Sequence, residues 1–281
     1  MDSLISKSFA KVNVGLKVLN RRNDGYHNIA TVFQELDFHD KTTISKHSGG
    51  CNITADVDWI PVDQSNSVSK AYIIMKELFP DLGGVRINLQ KKIPASAGLG
   101  GGSSNAATML KALNKLFELM LTDKELELLA IKIGADVPFF IRGGTQIGEK
   151  RGEKLTPVDN SIKGWYLCLT PDFPIRTKWA YAALKKDLKA DGKQPNFAHF
   201  IGSNFSPNKL FDNDFEEAVI PAYPEIGNLK SGLIKAGANF ASLSGSGSTV
   251  FGIFDDEAQA QRAASTFSPQ IQTIISRPTN S

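Results

Sequence analysis

With 281 residues, 41% of them hydrophobic, the chain is long enough for one large core or two ordinary ones, because single cores tend to split near ~250 residues. Its 32 basic and 29 acidic residues leave a net charge of +3, scattered without long runs of like sign, which excludes the basic footprint of a nucleic-acid binder. No stretch reaches the ~18 consecutive apolar residues of a membrane span, and the opening "MDSLISKSFAKVNVG" lacks the apolar core of a signal peptide, so a soluble, cytoplasmic chain with no nucleic-acid or membrane partner is expected.

In chain order, "FAKVNVGLKVL" reads as strand. Cys51 and Cys168 stand alone without CxxC spacing, which suggests neither a disulfide framework nor a zinc site and suits a reducing compartment. "GVRINLQKKIP" alternates Val85, Ile87 and Leu89 with Arg86, Asn88 and Gln90, the period of a half-buried strand. It enters "PASAGLGGGSSNA", which holds Gly98, Gly100, Gly101 and Gly102. Beyond it Ala106, Met109, Leu110, Ala112, Leu113, Leu116 and Phe117 recur at helical spacing, with Ser103 or Ser104 suited to the N-cap. "TDKELELLAIKIGADVPFF" opens with Thr122 and Glu125 spaced as a capping box and carries Leu126, Leu129, Ala130 and Ile133 on one face. The spacing ends that helix at Gly134 and leaves Asp136 just past it.

The polar stretch "RGGTQIGEKRGEKLTP" then loosens the pattern, and a soft boundary there gives domains 1–155 and 156–281. Downstream, "WYLCLTP" reads as strand, "TKWAYAALKKDL" and "PEIGNLKSGLIKAGA" as helices, "FASLSGSGSTVFGIF" as two strands around a Gly/Ser turn, and "DDEAQAQRAASTF" as an Asp-capped helix. Strands and helices interleaved in this way suggest an α+β sandwich.

A glycine loop feeding a helix start gathers unsatisfied N–H groups and the positive end of the helix dipole, which suits a phosphate. No Lys follows the glycines and the spacing never gives G-x-G-x-x-G, so neither the Walker A loop nor the dinucleotide fingerprint is present. A tight turn requiring positive φ is the competing reading. On residues alone, Asp136 before Val137-Pro138 reads as an Asx-turn or N-cap, Lys11 as a surface charge, Tyr26 and Tyr181 as packing residues, and His27 as a loop histidine.

"PASAGLGGGSSNAA" resembles the nucleotide-binding motif of the GHMP small-molecule kinases, the family of galactokinase and of the homoserine, mevalonate and phosphomevalonate kinases. "AKVNVGLKVLNRRNDGYHNI", "GADVPFF" and "SLSGSGSTVFG" support the resemblance in the same order, from about Phe9 to Phe254. The set looks like the members of the non-mevalonate isoprenoid route, which use ATP to phosphorylate the 2-hydroxyl of 4-diphosphocytidyl-2-C-methyl-D-erythritol. The resemblance implies a two-lobed α+β fold, with a ribosomal-S5-domain-2-like N-terminal lobe, a ferredoxin-like C-terminal lobe, and ATP and substrate in the cleft between them.

By the same resemblance, Pro94, Ala95, Ser96, Ala97, Gly98, Leu99, Gly100, Gly101, Gly102, Ser103 and Ser104 would form the ATP loop, and Asn66, Lys91 and Asn105 would lie along the nucleotide. Many relatives carry Asp at the position of Asn105, where an amide can still hydrogen-bond. Asp136 would take the proton of the attacking hydroxyl, and Lys11 beside it would steady the developing charge. Tyr26 and His27 would line the cytidine pocket, Tyr181 would face the other side of the ring, Asn13 would lie near the substrate and Thr177 would be a polar contact. "SGSGS" reads either as a hairpin connection or, in the family, as a support of the site through Gly245 and Gly247. Mg2+ would accompany ATP, mostly on phosphate oxygens and water, with no protein ligand named. A GHMP kinase for mevalonate or homoserine competes, but those enzymes have no cytosine to stack on "DGYH". A non-catalytic nucleotide-binding module competes too, and the presence of both Lys11 and Asp136 argues against it.

Overall fold

The computed structural model describes residues 2–158, 162–184, 195, 197 and 211–279. It divides into two compact units, each assembled from several chain segments. The first comprises Met1–Ala10, Phe38–Ile93 and Gly100–Gly143, the second Lys11–Asp37, Pro94–Leu99 and Gly144–Ser281. Two long strands, β1 (Ser3–Arg21) and β2 (His27–His47), contribute to both.

In the first unit the second half of β2 runs antiparallel to β4 (Gly84–Gln90), with Lys41 opposite Gln90 and His47 opposite Gly84. The short β3 (Cys51–Ala55) lies parallel on the other side of β4. The alternation expected of β4 is present: Val85, Ile87 and Leu89 are buried while Arg86, Asn88 and Gln90 face solvent. Helix α1 (Ser67–Leu78) packs on α2 (Gly101–Leu116), and α2 contacts the shorter α3 (Asp123–Ala130) and α4 (Phe139–Arg142). The expected capping box is formed, since the Thr122 hydroxyl accepts from the Glu125 amide while the Glu125 carboxylate accepts from the Thr122 amide at 2.7 Å. Losing such a cap costs a helix about 1 kcal/mol.

In the second unit the first half of β2 pairs antiparallel with β5 (Thr145–Lys150), and β6 (Lys154–Pro157) pairs with β5. The stretch that reads as loose in the sequence is therefore a hairpin. Its glycine is a packing device, because a Cβ on Gly148 would stand 2.6 Å from the ring of Phe33, which the missing side chain admits. A second, fully antiparallel sheet has the order β10-β7-β9-β8, formed by β7 (Trp165–Thr170), β8 (Phe240–Leu243), β9 (Val250–Phe254) and β10 (Gln272–Ser276). Numbered within that sheet the order is 4-1-3-2, the split arrangement of the expected ferredoxin-like lobe.

Helices α5 (Thr177–Ala183), α6 (Glu216–Ala222) and α7 (Pro224–Lys235) lie between β7 and β8 in the chain, and α8 (Glu257–Ala264) between β9 and β10. The helix read over "TKWAYAALKKDL" stops at Ala183, and the positions beyond Leu184 fall outside the described residues. Asp256 caps α8 by accepting from the Gln259 amide at 2.8 Å, as its position predicts. Leu167, Leu169, Leu233, Val250 and Phe254 form the centre of this unit's core, each fully buried side chain contributing about 1.5–3 kcal/mol. The last described residues fold back onto β2. The Asp37 amide donates to the Arg277 carbonyl at 2.8 Å, and the Thr279 hydroxyl donates to the Glu35 carboxylate at 2.8 Å.

Candidate active site

The glycine loop belongs to both units, passing from the second to the first at Leu99. On the first-unit side, α2 is capped by neither Ser103 nor Ser104. Gly100 is the N-cap, in left-handed backbone at φ 73, and supplies no side-chain cap. That conformation favours glycine, so the helix begins three residues earlier than a serine cap would allow. A Cβ on Gly101 would meet Ile93 at 2.9 Å, so the chain runs close against the end of β4. The Ser104 amide makes the first bond of the helix, to the Gly100 carbonyl at 2.9 Å. The amides of Gly101, Gly102 and Ser103 precede it and have no partner within the helix. Gly102 is exposed, and its carbonyl accepts from the Ser67 hydroxyl at 2.7 Å.

Three residues expected along the nucleotide have structural partners in this unit. Asn66 is the N-cap of α1, its oxygen accepting from the Val68 amide at 3.0 Å and its NH2 donating to the Pro61 carbonyl at 2.5 Å. Lys91 and Asn105 converge on Asp40, a carboxylate with no solvent exposure. The Lys91 ammonium donates to Asp40 and, at 2.8 Å, to the Asn105 amide oxygen, while the Asn105 NH2 donates to Asp40 at 3.0 Å. The other Asp40 oxygen accepts from the Lys92 and Ile93 amides at 2.7 and 2.9 Å. This carboxylate therefore joins the two stems of the loop, the end of β4 and the first turn of α2. Nothing in "DFHDKTT" marks it, because its partners lie 51 to 65 positions away. Asp136 is half-buried in the turn after α3, within which the Val137 amide donates to the Gly134 carbonyl at 3.2 Å.

On the second-unit side the loop is tied down by the opening of β1 and by the Gly/Ser turn. The Lys11 amide donates to the Leu99 carbonyl at 3.0 Å, the Thr249 amide to the Ala97 carbonyl at 3.1 Å and the Ser244 hydroxyl to the Gly98 carbonyl at 2.9 Å. Gly98 has φ +81, and a Cβ there would lie 2.1 Å from the Ser244 carbonyl oxygen. No other residue fits. The Lys11 ammonium, only 3% exposed as a residue, donates to the Asn13 amide oxygen at 2.6 Å and lies 5.5 Å over the Phe33 ring. A Cβ at Gly245 would reach 3.4 Å from that Asn13 oxygen and 3.7 Å from the Lys11 nitrogen, so the "SGSGS" turn lies beside the pair. Asn213 holds the turn, donating to the Leu243 and Gly245 carbonyls at 2.7 and 2.8 Å.

The aromatic residues are arranged differently from a simple sandwich. His27 and Tyr181 stack directly, with centroids 5.0 Å apart and planes 8° apart, leaving no room for a third ring between them. Tyr181 also meets Phe215 edge-on at 4.8 Å. Tyr26 is 58% exposed, with the Arg151 guanidinium 5.1 Å over its ring. Thr177 shares a hydrogen bond of 2.9 Å with the Ser246 hydroxyl. Burial, and then the charge of Arg21, push the His27 pKa below its usual value. That shift favours the neutral imidazole, with one nitrogen to donate and one to accept.

Residues 66–144 match the GHMP kinases N terminal domain and residues 196–270 the GHMP kinases C terminal family. A 4-diphosphocytidyl-2-C-methyl-D-erythritol kinase of Geobacter sulfurreducens is 38% identical over 98% of this chain and 100% of its own length. One of Thermodesulfovibrio yellowstonii is 41% identical over 97% of this chain and 98% of its own. Among solved structures, a 4-(cytidine 5'-diphospho)-2C-methyl-D-erythritol kinase superposes with a TM-score of 0.87 at 29% identity, covering 99% of this chain and 100% of that one. A homoserine kinase of Cytophaga hutchinsonii shares the fold with a TM-score of 0.74 at 20% identity, over 99% and 95% of the two chains. The matched domains and these full-length relatives together show that the chain belongs to the GHMP kinase family, in the group of the 4-diphosphocytidyl-2-C-methyl-D-erythritol kinases.

Proposed function

We propose that this chain transfers the γ-phosphoryl group of ATP to the 2-hydroxyl of 4-diphosphocytidyl-2-C-methyl-D-erythritol, giving the 2-phosphate and ADP for isoprenoid synthesis in the cytoplasm. The observation that carries the reading is the identity of about two residues in five, sustained over the whole chain, with relatives bearing that enzyme name. The substrate hydroxyl passes its proton to the Asp136 carboxylate as its oxygen attacks the γ-phosphorus, and the bond from that phosphorus to the bridging oxygen of ADP breaks. The Lys11 ammonium stabilises negative charge on the attacking oxygen. The opening amides of α2 receive the phosphates, which suits their lack of partners within the helix.

Lys91 and Asn105 serve the nucleotide through the loop stems that they hold with Asp40, and Asn66 by fixing the start of α1. On the substrate side, Tyr26 and the outer face of His27 are offered to cytosine, with Tyr181 stacked behind His27 rather than across the base, and Asn13 and Thr177 as polar neighbours. Oxygen donors such as the Ser103 hydroxyl and the Asp136 carboxylate are of the kind that Mg2+ takes, and the metal would be held mostly by ATP phosphates and water, where it would neutralise charge on the transferring group. Residues 1–155 and 156–281 are the two domains of this reading, and the matched family segments fall on either side of that boundary.

The test is ATP consumption by the purified protein with Mg2+, offered the cytidylyl substrate, mevalonate or homoserine. Turnover confined to the first is expected. Turnover with another alcohol would overturn the substrate assignment while leaving the phosphate role of the loop in place. Asp136→Ala is expected to lower turnover by at least ~10²-fold with ATP binding kept, and near wild-type turnover would reject Asp136 as the base.

A further inference from the structure

Thr31 is a fully buried hydroxyl in β2 to which the mechanism above gives no task. It donates to the Gly15 carbonyl at 2.7 Å and accepts from the Asn13 NH2 at 2.9 Å. The polarity of this chain of bonds is forced. A carbonyl oxygen only accepts, so the single hydroxyl proton of Thr31 is committed to Gly15 and only lone pairs remain for Asn13. The Asn13 amide must then turn its NH2 toward Thr31 and its oxygen toward Lys11, whose ammonium only donates and does so at 2.6 Å. In the opposite orientation an NH2 would face an ammonium, donor to donor, and this bond would be lost. Gly15, where the series ends, is itself confined: it has φ +82, and a Cβ there would lie 3.0 Å from the Phe211 backbone. At a fully buried strand position valine would fill nearly the same space without the cost of burying a hydroxyl.

We propose that Thr31 is a positioning residue for phosphoryl transfer: by fixing the orientation of the Asn13 amide it holds the Lys11 ammonium in place. The inference rests on the reading of Lys11 given above. Its test compares Thr31→Val, Thr31→Ala and Thr31→Ser, with the Val change also made in a Lys11→Met background, by steady-state kcat, KM for ATP and thermal melting. Lys11→Met alone is expected to lower kcat on the order of a hundredfold. Thr31→Val and Thr31→Ala are expected to lower kcat about tenfold with KM for ATP changed less than about twofold, the pattern of an interaction made in the transition state. Thr31→Ser restores wild-type kcat. In the Lys11→Met background Thr31→Val has almost no further effect, the non-additivity of residues acting through one another.

An equal loss in both backgrounds would overturn the role of Thr31 and leave that of Lys11 standing. Wild-type turnover in Lys11→Met would overturn the reading of Lys11, and the proposal with it. If neither hydroxyl-free variant folds while Thr31→Ser folds and works, the hydroxyl serves the fold, and the proposal falls on that ground too.

Discussion

Two stretches rich in glycine and serine, residues 94–104 and 244–248, resemble each other in composition and differ in what their backbones do. The turn at 244–248 closes β8 onto β9: the Ser244 amide donates to the Thr249 carbonyl at 2.9 Å, the Gly247 amide returns to the Ser244 carbonyl at 3.0 Å, and Asn213 donates to the Gly245 carbonyl. The loop at 94–104 is held to the rest of its unit in its first half through the Ala97, Gly98 and Leu99 carbonyls. Its second half runs into α2 with opening amides that the helix itself does not use. Similar glycine content therefore accompanies different backbone bonding in the two stretches.

The contrast can be broken most forcefully at Gly98. Gly98→Ala adds backbone strain at positive φ to a collision with a carbonyl, and is expected to destabilise the fold by about 3 kcal/mol, measured by urea titration. An unchanged midpoint would mean that the loop is not held against the Gly/Ser turn. Gly247→Ala is milder, about 2 kcal/mol, because φ is again positive at +93 but the Cβ meets only the side-chain ends of Leu243 and Ile175 at 3.0 and 3.1 Å. Its KM for ATP is expected to stay at the wild-type value, as suits a turn with a structural role.

Gly102→Ala sharpens the contrast from the other side. The site is helical and open, with the nearest atom, the Ser67 hydroxyl oxygen, 3.7 Å from the added Cβ. Stability holds or rises slightly through helix propensity, while KM for ATP rises about tenfold if phosphates approach the backbone there. An unaltered KM would remove Gly102 from the phosphate site. Ser244→Ala has the smallest expected effect, about 1 kcal/mol for the lost bond to the Gly98 carbonyl, read from the same urea titration.

Local patterns made much of this architecture legible. The alternation of β4, the capping box at Thr122, the Asp256 cap and the strand pair around "SGSGS" all depend on residues within a few positions of one another, and all are present. The hairpin at 145–157 was hidden because its glycines look like loop residues until Phe33 of a distant strand is seen lying on Gly148. The cap of α2 differs from the expected serine for a related reason. Serine is the usual side-chain cap, whereas Gly100 is chosen by its left-handed φ. Asp40 and Thr31 were illegible for the same reason as each other: a carboxylate or hydroxyl in a strand gains its meaning only from partners brought to it by the fold.

The return of residues 277–279 to β2 has a consequence for the order in which the chain matures. Glu35 waits for Thr279 across 244 positions, whereas the segments of the first unit all lie at or before Gly143. At a synthesis rate of about 5–20 residues per second, roughly 12 to 50 s separate the emergence of the two partners. Long-range pairing of this kind is slow to reward its loop closure. The segments of the unit that contains α2 have thus all emerged while β2 in the other unit still awaits Thr279, and that interval is when a chaperone would be of most use to this chain.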